Sequence, residues 1–131
     1  MVKILLTLMT LMGGSLWARD AMAAELWGGE HIRALAFERS VAVELDCAHG
    51  EIDGPLVPTD PSGHFSVEGT FTPEHGGPVF LDEEPDTHPA LYRGIIEEGL
   101  MQLTIILADS GREIGPFELV RGQEAQLFKC L

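Results

Sequence analysis

The sequence predicts an all-β protein: a small antiparallel up-and-down barrel, or a two-sheet sandwich, of about eight strands, after an N-terminal signal peptide. Three observations carry this. Nothing after the first 23 residues repeats apolar side chains at helical spacing. In its place come short apolar runs divided by Gly, Pro, Asp and Ser. Several of those runs alternate apolar and polar residues, the mark of a half-buried strand.

The first element stands apart from the fold. Met1-Val2-Lys3 is a basic start, Ile4 to Trp17 is an apolar run, and Ala21-Met22-Ala23 supplies small residues in A-x-A spacing. These are the parts of a secretory signal peptide, cleaved after Ala23 or Ala24. The run is shorter than the roughly 20 residues a membrane span needs. Residues 1–23 are therefore assigned to the signal peptide and 24–131 to a single β-barrel-like domain, with a mature chain of about 107 residues, long enough for a true core.

His31 to Phe37 is the first apolar run, and Val41 to Cys47 alternates cleanly behind the Glu38-Arg39-Ser40 turn. Glu51 to Val57 is a shorter strand interrupted by Gly54-Pro55, which suits an edge or an irregularity. Pro58 to Gly63 is a turn by composition. His64 to Thr72 puts Phe65, Val67, Gly69 and Phe71 on one face. Pro73 to Pro89 is the longest irregular piece, rich in Pro, Gly and acid; loops of that length in small domains are usually functional or mobile. Ala90–Glu97, Leu100–Ala108, Glu113–Val120 and Ala125–Cys130 complete the count, each bounded by a turn. Phe65, Phe71, Tyr92, Phe117 and Phe128 fall at alternating positions and are expected in the core.

Composition narrows the partners. The chain carries 8 Lys+Arg against 21 Asp+Glu, a net charge of −13. Removing Lys3, Arg19 and Asp20 leaves 6 against 20, or −14, on the mature chain. Nucleic acid and anionic membrane surfaces would be repelled; cationic proteins and divalent metals would not. Cys47 and Cys130 are the two cysteines. In an exported, secreted or periplasmic protein, a disulfide between them is the default.

A meander also assigns ends. Successive strands run in opposite directions, so chain landmarks alternate between two poles. Counting from His31 places His31, Cys47, His49, Glu74, His75, His88 and Cys130 at one pole, with Trp27 beside them, and His64 at the other. Barrel mouths are usual places for a site. His31, His49, Glu74 and His75 are accordingly the candidate metal or ligand residues, with zinc or copper the metals that neutral imidazole suits. No short-range motif such as H-x-x-x-H reinforces this. Trp27, followed by Gly28-Gly29, is either a stacking platform for a ligand or a plug for the barrel's open end. Catalytic residues are assigned to none: a Cys47 thiolate beside His49 requires the disulfide to be absent, the serines lack a nucleophile-elbow context, and the carboxylates of Asp82-Glu83-Glu84 read as solvated charge.

Three stretches carry a resemblance: Trp27-Gly28-Gly29-Glu30-His31-Ile32, Asp46-Cys47-Ala48-His49-Gly50 and Glu74-His75-Gly76-Gly77-Pro78. With the closing Lys129-Cys130-Leu131, they resemble a family of small uncharacterised secreted bacterial proteins. The resemblance implies an exported protein and no particular activity. The layout is also similar to periplasmic lysozyme-inhibitor barrels in architecture, without a match to their inhibitory loop. Two functions follow as expectations. One is an exported barrel that binds a metal or small molecule at the histidine pole. The other is an acidic, inhibitor-like protein-interaction module for a cationic partner such as a lysozyme.

Overall fold

A computed structural model describes residues 24–78 and 80–130; the expected signal peptide lies outside the described residues. Eight antiparallel strands follow one another around a closed barrel: β1 (Glu25–Gly29), β2 (Ile32–Ala36), β3 (Val41–Leu45), β4 (Ala48–Ile52), β5 (His64–Pro73), β6 (His88–Glu97), β7 (Leu100–Leu107) and β8 (Glu113–Arg121). The barrel, not the sandwich, is the form the chain takes. Each strand pairs with its sequence neighbours, and β8 returns to β1 through Trp27↔Arg121 and Gly28↔Val120. Closure leaves few unpaired strand edges for other chains to join.

The alternation read from sequence is the alternation observed. On β7, Met101, Leu103, Ile105 and Leu107 are buried while Gln102 is exposed. Strand β5 buries Phe65 and Phe71. With eight strands the interior is just wide enough for side chains to fill, and here Trp27, Tyr92, Met101 and Ile105 fill it. The Tyr92 hydroxyl donates to the Thr70 carbonyl oxygen at 2.5 Å. Gly50 makes room for it, because a Cβ there would overlap both that hydroxyl and that carbonyl.

Beyond shifts of one or two residues at the ends of β5 to β8, the strands differ from the sequence reading in three places. The N-terminal strand is Glu25–Gly29, ahead of the one expected at His31–Phe37, and His31 belongs to the tight turn between β1 and β2 with φ of 69°. Gly28 and Gly29 hide this strand in the sequence because they show no alternation. They are needed because a Cβ on Gly28 would overlap the backbone at Gln123 to Ala125, and one on Gly29 the carbonyl of Glu118. The strand expected at Glu51–Val57 is Ala48–Ile52, entered through a two-residue turn at Asp46 and Cys47. The expected last strand, Ala125–Cys130, is an extended tail with a single parallel bridge, Glu30↔Gln126. One strand gained and one lost leave the count at eight. Phe128, on that tail, is 68% exposed and not in the core.

Candidate functional site

The disulfide is present, joining Cys47 in the β3–β4 turn to Cys130 in the tail. It lies among the tail's other anchors. Asp46 accepts from the Phe128 amide at 2.7 Å, its backbone oxygen accepts from the Cys130 amide at 3.1 Å, and Lys129 Nζ donates to the Leu45 carbonyl at 2.7 Å. A covalent bond that persists in oxidising compartments is compatible with an exported protein.

The strand directions put His31, Cys47, His49, Glu74, His75, His88 and Cys130 toward one pole and His64 at the opposite one. They do not put the candidate ligands on one centre. Among the described residues, no group of three or more His, Cys, Asp or Glu side chains is placed to hold a metal ion. Each of the five histidines instead has a carboxylate of its own. His31 Nδ1 lies 2.6 Å from Asp46 Oδ2, and His49 Nδ1 lies 2.7 Å from Glu74 Oε2. His75 Nε2 lies 2.6 Å from Glu83 Oε2, and His64 Nδ1 lies 3.1 Å from Asp60 Oδ2. His88 meets two carboxylates, Asp109 through Nδ1 at 2.7 Å and Asp86 through Nε2 at 3.1 Å.

These pairs shift proton affinities in both directions. The Phe128 amide, then His31 and Lys129, outweigh desolvation and hold Asp46 below the usual aspartate range. Burial pushes Glu74 up, but bonds from Lys129 and His49 win and its carboxyl is lowered. His75 donates in the Glu83 pair, which lowers Glu83 as well. The Gly76 carbonyl and Glu83 raise His75; Asp109 and Asp86 raise His88.

Trp27 is not available to a ligand. It stands inside β1, opposite the buried Ala34, and is 1% exposed. Arg121 lies over its ring at 4.7 Å, and Glu25 accepts from its indole N–H at 2.9 Å. Both partners sit where β1 begins and β8 ends, so the indole is capped from the pole opposite His31.

The concavities are surface grooves. One crosses the outer face of β2 to β5 and is lined by Arg33, Glu44, His49, Glu51, Thr70 and Thr72. The more prominent feature is convex. Residues 74–87 link β5 to β6 at the histidine pole, and Phe80 and Leu81 there are 64% and 108% exposed. Asp82, Glu83, Glu84 and Asp86 follow, also exposed. Sequence reasoning found the loop but not its apolar pair, because two large apolar residues between prolines read equally well as buried or projecting. The individual carboxylate partners were hidden too, since a chain this acidic offers many to every histidine. Comparison with family models, curated proteins and solved structures finds no match for this chain.

Proposed function

We propose that this chain is an exported, acidic protein-interaction module that captures a cationic partner, such as a lysozyme. The carrying observation is the acid-flanked apolar pair Phe80–Leu81, exposed on a loop at one end of the barrel. Adjacent large apolar side chains that face water offer a partner apolar area to bury. Carboxylates beside them add a field that steers a positive partner. The net charge of −13 extends that field over the molecule. The barrel interior is taken up by its own side chains and the histidines by carboxylates, which favours a macromolecule on the outside over a small ligand within. Export is supported by the signal-like start and by the disulfide.

Calorimetric titration of the exported protein with a panel of cationic hydrolases, lysozymes first, tests this. Binding at low ionic strength that weakens steeply with added salt, and that Phe80→Ser with Leu81→Ser reduces at least about tenfold, is the expected result. Absence of binding to every member of the panel at low salt sinks the reading.

A further inference from the structure

The conformation of residues 74–78 and 80–87 decides how Phe80 and Leu81 are presented. Glu74, at the first foot, is held by Lys129 Nζ at 3.0 Å as well as by His49. The Lys129 contact involves no imidazole, so this foot has a hold independent of histidine ionisation. A turn bond from the Glu83 amide to the Phe80 carbonyl at 3.1 Å and the Thr72–Thr87 hydroxyl pair at 2.9 Å are equally indifferent to histidine; the two remaining holds are not. His75 Nδ1 lies 2.9 Å from the Gly76 carbonyl oxygen and its Nε2 2.6 Å from Glu83. His88, where β6 begins, has Nδ1 against Asp109 of the β7–β8 turn and Nε2 against Asp86 of the loop.

In both rings, each nitrogen faces an oxygen that has no hydrogen to give. A neutral imidazole has one N–H and one lone pair. Against two acceptors it makes one hydrogen bond and one lone-pair repulsion. Only the imidazolium gains at both nitrogens, with two hydrogen bonds in His75 and, in His88, a hydrogen bond to Asp109 and an ion pair with Asp86. The groups that act on His75 are the Gly76 carbonyl and Glu83; those that act on His88 are Asp109 and Asp86. No cation among them opposes protonation of either ring.

We propose that His75 and His88 form a proton-operated clamp on the β5–β6 loop, closed when both rings are protonated and released when they lose a proton. His75 closes the loop on itself across Glu83, and His88 ties its second foot to the β7–β8 turn. The clamp regulates the same surface as the proposed function and rests on that reading for its purpose, though not for its chemistry. The sign is fixed by the partners. Both histidines are raised above 6.5, so the clamp is complete below that value and is lost as pH climbs through the raised values. Below 6.5 both histidine holds restrain the loop that carries Phe80 and Leu81; as pH climbs through the raised values the loop is freed of both and moves more.

Nuclear magnetic resonance of the exported protein tests this directly. Ring titrations of His75 and His88, and backbone relaxation of Phe80 to Asp86, are followed from about pH 5 to 9. Both rings are expected to titrate above 6.5, with loop motion rising over the same interval. The double variant His75→Gln with His88→Gln should leave the loop mobile at every pH while the barrel stays folded. A ring that titrates at or below 6.5, a loop indifferent to the titration, or a double variant that keeps the transition each overturns the clamp. No partner is in the sample. A pH-dependent loop in a protein that binds no cationic hydrolase leaves the clamp standing and removes the docking role; hydrolase binding with an indifferent loop does the reverse.

Discussion

Tyr92 is the residue on which the interior turns. It is fully buried, and its hydroxyl reaches the Thr70 carbonyl through the gap that Gly50 leaves. Burial, with Asp53 nearby, pushes the phenol up from its ordinary value of 10.0, so it remains a donor at any physiological pH. Tyr92→Phe keeps the ring and removes the donor, leaving the part-buried Thr70 carbonyl without this partner. That should lower stability by about 1–3 kcal/mol in urea unfolding, with little change in the slope of the transition. A smaller loss would mean that water replaces the hydroxyl. The same contact explains Gly50, which the sequence shows only as the end of a cysteine–histidine stretch.

Among the elements, the C-terminal tail has the least regular structure and the most diverse anchors. It forms no strand, yet it runs beside β1 where Gly28 admits its backbone, and Gln126 exchanges hydrogen bonds with Gly29 and His31 at 3.0 and 2.8 Å. The Cys47–Cys130 bond then closes a span of 83 residues. For a loop of that length the chain-entropy model gives about 4–5 kcal/mol, and removal of native disulfides from small secreted domains typically costs about 2–5 kcal/mol. Replacing both cysteines by serine should therefore destabilise thermal unfolding by an amount in that range. Amide exchange should show the tail and the short β8–β1 seam opening before β5, β6 and β7, whose ladders are longer. Protection of the tail equal to that of β6 in the double variant would show that the hydrogen bonds alone suffice.

At the scale of the molecule, the histidine–carboxylate pairs set a pH window. Asp46, Asp60, Glu74, Glu83 and Asp109 all have lowered values, and each is paired with a histidine. Lowered carboxylates stabilise the fold fully above their unfolded values of 3.8 and 4.5, and this is lost as pH falls through the folded ones. His75 and His88 have the opposite sign: their contribution is complete below 6.5 and lost as pH rises. Both sets are at full strength between 4.5 and 6.5. Protonating His75 and His88 also removes two units of the chain's excess negative charge, which relieves self-repulsion. The melting temperature should peak in that mildly acidic interval and decline on either side. A maximum at or above pH 7.5, roughly one unit beyond the unperturbed histidine value, would contradict it.

Much of this was legible in the chain. Alternation on Val41–Leu45, Phe65–Phe71 and Met101–Leu107 announces strands with one buried face, and connections that are mostly tight turns point to a meander. The placement of Cys47 and Cys130 at one end follows from counting strand directions, and the bond between them agrees. Alternation is a local property, so sequence alone suffices for it. Closure into a barrel was decided by the tertiary structure, because it depends on a register between positions 94 residues apart that no local pattern encodes; Trp27 pairs with Arg121. The glycines of β1 concealed a strand, and the alternating tail imitated one, because a strand requires a paired neighbour as well as a pattern. The histidines follow the same logic. Their gathering at one pole is topology and can be counted. Whether they converge on one centre or take separate carboxylates depends on side-chain positions within a few ångströms, and those are fixed only when the turns are packed against one another.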